Sequence, residues 1–198
     1  MESTVSSVNR RSTANQGKRG TVSGSPWHER WRGKAPVLRF GLTFAALMAA
    51  YYAIAVTQTF DGMLNEVLRW NALASGALLD ALGQGIHTTG TVIRSARFSV
   101  NVRRGCDAVE PVWYFAAAVL SFPAPIVRKL AGIAVGALLI CAVNVVRIAS
   151  LFIVGAYYPR SFSTIHLEIW PASLILLATL LWIAWISWVR RTTRGATP

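Results

Sequence analysis

Four apolar stretches limit what this chain can fold into. A hydrocarbon core of about 30 Å is crossed by roughly 20 apolar residues in helix. Val37 to Val56 meets that length and is interrupted only by Arg39. Leu130 to Tyr157 meets it with Asn144 and Arg147 inside, and Leu167 to Val189 meets it with Glu168 and Pro171. Ala108 to Val127 comes close, carrying Glu110 and several prolines. In 198 residues these stretches leave no room for a large soluble domain. The expected fold is an all-α integral membrane protein: a bundle of about four transmembrane helices, residues 37–198, in a lipid bilayer.

The charge balance gives that bundle a direction. Lys and Arg number 20 against 8 Asp and Glu, a formal net charge of +12. In a soluble protein this would point to nucleic acid. Here the basic residues flank the apolar stretches, so the positive-inside rule accounts for them and no nucleic-acid partner is expected. Arg10, Arg11, Lys18, Arg19, Arg30, Arg32 and Lys34 precede the first stretch, Arg128 and Lys129 separate the second from the third, and Arg190, Arg191 and Arg194 follow the last. With all three clusters in the cytoplasm the crossings alternate without conflict. The expected location is the cytoplasmic membrane, with both termini inside and the segments Thr57–Asp107 and Tyr158–Thr164 outside. Residues 1–36, rich in Ser, Gly, Thr and Arg, read as a disordered basic cytoplasmic tail. That tail is too long and polar to precede a cleaved signal, so the first span is expected to stay.

The outside segment has its own pattern. Phe60, Leu64, Val67 and Leu68 recur at helical spacing, which suits an amphipathic helix at the membrane surface or one packed on the bundle. Further on, Phe98, Val100 and Val102 alternate with Ser99, Asn101 and Arg103, a period of two. With Thr91 to Ile93 upstream this predicts a small β-hairpin leading into Gly105 and Cys106. In the third span, Gly132 and Gly136 form a small-xxx-small pair that lets another helix approach closely.

Three residues stand out for chemistry, because the charge-based topology brings all of them to one membrane face. Arg147 lies seventeen residues beyond Leu130, about 25 Å along a helix, too deep for a simple flanking charge. An ionisable side chain at such depth commonly faces the bundle interior and marks a functional site; the bland alternative is an arginine snorkelling to headgroups. Asn144, three residues earlier, shares its face and is read as a supporting residue. Cys106 sits at the entrance to the second stretch, where a helix N-terminus and the cations Arg103, Arg104 and Arg147 are expected to lower its pKa. His166 opens the last span after Ser163 and Thr164, either of which is a candidate cap. His87 is a weaker rival, and His28 lacks comparable support. A thiol, an imidazole and a guanidinium supply a nucleophile, a base and an anion stabiliser, the needs of acyl transfer.

Cys141 is not a disulfide partner for Cys106. It lies about 16 Å into its helix from the cytoplasmic end, whereas bonded cysteines need Cα atoms within about 7 Å. No CxxC pair and no metal-ligand cluster is present, so neither metal nor organic cofactor is expected. GxSxG and HExxH motifs are absent too.

From Asn101 to Trp188 the sequence resembles the exosortase/archaeosortase family of membrane transpeptidases. The matching features are Gly105-Cys106, the run Asn144-Val145-Val146-Arg147-Ile148, and His166. The stretch from Cys106 through Phe122-Pro123-Ala124 looks most like the compact exosortase H type. The resemblance implies Cys106 as nucleophile, Arg147 as oxyanion or substrate stabiliser and His166 as general base. It also implies a substrate: an exported protein with a C-terminal sorting signal of short motif, transmembrane helix and basic tail, which is cut and joined to a surface acceptor. Many members follow the cysteine with a small residue and then glycine; here Asp107 and Ala108 follow. Two other classes fit the residues alone: a membrane thiol oxidoreductase, weakened by the missing partner for Cys106, and a non-enzymatic assembly or transport subunit.

Overall fold

The computed structural model describes residues 26–194, with side chains from 35 to 192. Most of the expected tail, residues 1–25, lies outside the described residues. Helix α1 runs Pro26–Ala55, and its apolar part Ala35–Ala55 is long enough to cross a membrane. Thr57 turns the chain. Its hydroxyl donates to the Ile54 carbonyl at 2.8 Å and accepts the Phe60 N–H at 3.3 Å, capping α2, Gln58–Ala81.

Helix α2 extends further than its apolar pattern suggested, and it packs on the bundle. Leu64, Leu68, Ala72 and Leu79 are buried against Ile148, Ala149 and Phe152. Beyond it come β1 (His87–Thr89), β2 (Val92–Arg94) and β3 (Ser99–Asn101). They form an antiparallel sheet in the order β1-β2-β3, one strand more than the expected hairpin. Gly90, at φ 61°, supplies the left-handed position that the tight first turn requires.

Among the described residues three helices have spanning length and composition, so the chain is a multi-pass membrane protein; the fourth stretch falls short. Helix α3 covers only Val109–Ser121, 13 residues, or about 20 Å at about 1.5 Å per residue. The turn at Asp107-Ala108 starts it late, and Pro123 and Pro125 hold the following residues out of helix. Helix α4, Ile126–Tyr157, crosses in full. The last apolar stretch begins earlier than expected. Its helical path starts at Pro159, passes through a π-helical turn at Ile165–Ile169 and continues as α5, Trp170–Arg194. Ser163 and Thr164 therefore lie within helical backbone and cap nothing, and His166 sits inside the path rather than at its start.

Two of the basic clusters, Arg128-Lys129 and the arginines after Val189, meet at one end. The Lys129 ammonium donates to the Leu120 carbonyl at 2.6 Å, Arg128 donates to the Val189 carbonyl at 3.4 Å, and Trp185 Nε1 donates to the Arg128 carbonyl at 3.1 Å. These bonds tie the end of α3, the start of α4 and the end of α5 together. Close packing continues inward, because a Cβ at Gly132 would overlap the Trp185 indole and one at Gly136 the Phe115 ring. The small-xxx-small pair thus admits aromatic rings of neighbouring helices. Gly136→Ala is expected to destabilise the bundle by about 1–3 kcal/mol, since Phe115 is buried and has little room to give. Thermal unfolding in detergent, followed by tryptophan fluorescence against Ala131→Gly as a mild helix-propensity control, measures it.

Candidate active site

The site is built on the loop between β3 and α3. Gly105 (φ 91°) and Ala108 (φ 62°) both adopt left-handed backbone. Between them the buried carboxylate of Asp107 accepts the Gly105 N–H at 3.0 Å and the Val109 N–H at 2.8 Å. Asp107 thereby satisfies an orphan donor at the start of α3. Ala108 occupies, without glycine's freedom, the position where many members of the resembled family have glycine. Such a conformation costs a non-glycine residue roughly 1–2 kcal/mol. The carboxylate clamp holds it there.

Helix α4 fixes the same loop from the other side. Asn144, fully buried, donates to the Cys106 carbonyl at 2.9 Å and to Asn71 Oδ1 at 2.9 Å. Asn71 on α2 donates in turn to the Asp107 carbonyl at 3.4 Å. Arg147 Nη1 donates to the Gly105 carbonyl at 3.0 Å and approaches Asn144 Oδ1 at 3.4 Å. The shared face of Asn144 and Arg147 is therefore real, and Arg147 points inward, 4% exposed, rather than snorkelling. Its Nε is buried with no hydrogen-bond partner among the described residues.

Cys106 Sγ lies 3.5 Å from His166 Nε2. The histidine is carried on the π-helical turn, an irregularity common at functional sites. Phe162 packs on its ring, centroids 5.5 Å apart. The thiol, the imidazole and Arg147 line one pocket of about 550 Å³, together with Val102, Leu151 and Pro171. His87 stands apart on β1, paired with Arg94. Cys141 is exposed on α4, and both cysteines are free.

The thiol's environment departs from expectation. Burial pushes the Cys106 pKa up, and Arg147 opposes that only in part. Of the three arginines proposed as cationic neighbours, Arg104 is engaged elsewhere, donating to Asp61 at 2.9 Å and to the Ala55 carbonyl at 2.8 Å. Cys106 also precedes the first residue of α3 by three positions, so the helix dipole acts weakly on it. A thiol in this setting needs a base, and His166 is in reach.

Sequence reasoning missed Asn71 and undervalued Asp107. Asn71 lies seven residues after Leu64, a polar residue on an apolar helix face, and that mismatch was a readable signal.

These features define a multi-pass membrane protein with a cysteine, a histidine and a buried arginine gathered on one pocket. The family model described as transmembrane exosortase (Exosortase_EpsH) matches residues 31–185, and the chain belongs to that family of cysteine-dependent membrane sorting transpeptidases acting on exported proteins. No curated protein and no solved structure matches it.

Because burial raises the Cys106 pKa and the guanidinium lowers it, alkylation of Cys106 by iodoacetamide should accelerate only above the ordinary thiol range. Replacing Arg147 by Met should move that rate profile to still higher pH. Intact-mass kinetics in a Cys141→Ala background measure both profiles, and a shift to lower pH would refute the assigned role of Arg147.

Proposed function

We propose that this exosortase cleaves a C-terminal sorting signal with Cys106 as nucleophile, His166 as base and Arg147 as oxyanion stabiliser, and transfers the new end to an acceptor. The observation that carries the reading is the 3.5 Å approach of Cys106 Sγ to His166 Nε2 beside a buried guanidinium with an unpartnered Nε. A buried donor without a partner next to a nucleophile suits an oxygen supplied by the substrate.

The steps follow from these atoms. His166 Nε2 takes the thiol proton as Cys106 Sγ attacks the scissile carbonyl. Arg147 stabilises the charge that develops on the carbonyl oxygen. Collapse of the tetrahedral intermediate breaks the C–N bond, and His166 returns the proton to the leaving amine, giving a thioester on Cys106. An incoming amine or water then loses its proton to His166, attacks the thioester and regenerates the thiol. Asn144 positions both ends, holding the Cys106 carbonyl and contacting Arg147. The substrate is an exported protein with a short motif, a transmembrane helix and a basic tail, and the enzyme is of the compact exosortase H type.

The charge clusters support an orientation in which both termini are cytoplasmic and the pocket opens at the outer face of the cytoplasmic membrane. An impermeant maleimide applied to cells with a permeabilised outer envelope should label Cys106 and spare Cys141; labelling of Cys106 from the cytoplasmic side alone would reverse the topology.

Catalysis is tested on a tagged precursor bearing a sorting signal, at matched enzyme levels. Cys106→Ala should abolish processing while the protein still inserts. Arg147→Lys should lose most activity because an ammonium lacks the guanidinium's planar fork. His166→Ala should lose most turnover, and Cys106→Ala/His166→Ala should be little worse than Cys106→Ala, as for residues acting as a unit. Normal processing by Cys106→Ala would end the proposal.

A further inference from the structure

At β3 the sheet beside the pocket has an edge whose backbone is free, and that edge runs into the nucleophile loop. In an antiparallel pair, successive residues of a strand turn their N–H and C=O groups alternately toward and away from the partner. Val102 N–H donates to the Thr91 carbonyl at 2.9 Å, and Ser95 N–H donates to the Phe98 carbonyl at 2.9 Å. With the register Ile93 to Val100, residues 98, 100 and 102 face β2. Ser99 and Asn101 therefore turn their backbone groups to the open side of β3, and no partner takes them among the described residues. The opposite strand of the sheet, β1, lies on α2 instead, where Thr88 abuts Gly76.

This edge borders the active site. Val100, Asn101 and Val102 line the same pocket as Cys106, Arg147 and His166. Exposed edges are usually blunted by lysine, proline or a covering segment, since they invite another strand. Here Ser99 and Asn101 are exposed, and neither lysine nor proline interrupts the strand. Its side chains also divide usefully. Val102 is buried and fixes the strand, while Ser99 and Asn101 turn outward.

We infer that β3 is the substrate-docking edge: the residues preceding the scissile bond add to it as an extended fourth strand, hydrogen-bonded to the backbone of Asn101 and Ser99. This rests on the transpeptidase reading and deepens it. The added strand runs parallel to β3, because β3 itself proceeds toward Cys106 and the substrate must reach Cys106 at the C-terminal end of the bound stretch. Main-chain bonds provide affinity in such additions, and side chains at alternate positions provide selectivity. The partner is thus an unfolded, extended polypeptide segment rather than a folded surface.

The test uses the tagged precursor and full-length enzyme in membranes. Asn101→Pro removes the outward N–H without touching the ladder to β2, and Pro is tolerated on an edge. Asn101→Ala lacks the same side chain but keeps the N–H. Processing at sub-saturating precursor should fall about five- to tenfold in the Pro variant relative to the Ala variant, the cost of about one lost hydrogen bond. The loss should vanish at saturating precursor. As a second measurement, Asn101→Cys in a Cys106→Ala/Cys141→Ala enzyme is disulfide-trapped against precursors with single cysteines at five successive positions before the scissile bond. Trapping at alternate positions is expected. Equal processing by the Pro and Ala variants, or trapping without a period of two, overturns strand addition while the transpeptidase reading survives. Failure of the wild-type enzyme to process any precursor overturns both.

Discussion

The site depends on one amide. Asn144 spends both of its N–H donors, on the Cys106 carbonyl and on Asn71 Oδ1, while its oxygen faces Arg147. Helix α4, helix α2 and the nucleophile loop meet at that side chain, which is shut off from solvent. In such surroundings a missing hydrogen bond costs the full desolvation of the group left behind, about 1–3 kcal/mol. Loss of the amide would orphan a carbonyl and a second amide together. The loop is held mainly by hydrogen bonds from α4, so the position of the thiol follows the position of that helix.

Asp107 does the complementary work from within the loop. Its carboxylate is 5% exposed and has no salt-bridge partner among the described residues. Two backbone N–H groups stand in for a cation, from Gly105 and Val109. A left-handed alanine next to it persists because the surrounding bonds over-determine the backbone. Asp107 and Ala108 are best understood together. Where glycine would relax into this turn, the aspartate clamps an alanine into it.

Much of this was legible in the sequence, for reasons that differ by residue. Arg147 and Asn144 announced themselves because polar groups inside a 32-residue apolar helix have few bland explanations. Cys106 and His166 were found through charge-derived topology, which places them at one level but cannot give the 3.5 Å between them. The helical pattern of α2 was visible, whereas its burial against Phe152 depends on long-range packing that periodicity does not encode. The late start of α3 and the π-helical turn were not visible, although the prolines that end α3 were. Both arise from local backbone choices, a left-handed Ala108 and an irregular Ile165–Ile169, that hydropathy averages over. The direction of the Cys106 pKa shift was misjudged because neighbouring cations can be counted in a sequence and burial cannot.

That last correction changes how the resting site is understood. A thiolate-imidazolium pair in this pocket would be two charges taken out of water, a cost that their attraction repays only with excellent geometry and further hydrogen bonds. The Cys106 thiol has few such bonds: its sulfur faces His166 at 3.5 Å and the Arg103 backbone. Burial accordingly favours the neutral thiol. Under the proposed mechanism, charge then need appear only when a substrate carbonyl is present to accept it, and Arg147, already desolvated and fixed by the Gly105 carbonyl, requires little reorganisation to meet it. In the proposed mechanism, a thiol that stays neutral until a peptide arrives is also less exposed to adventitious alkylation and oxidation, which act on the thiolate. On that mechanism, the burial that raises the Cys106 pKa ties activation of the thiol to substrate binding.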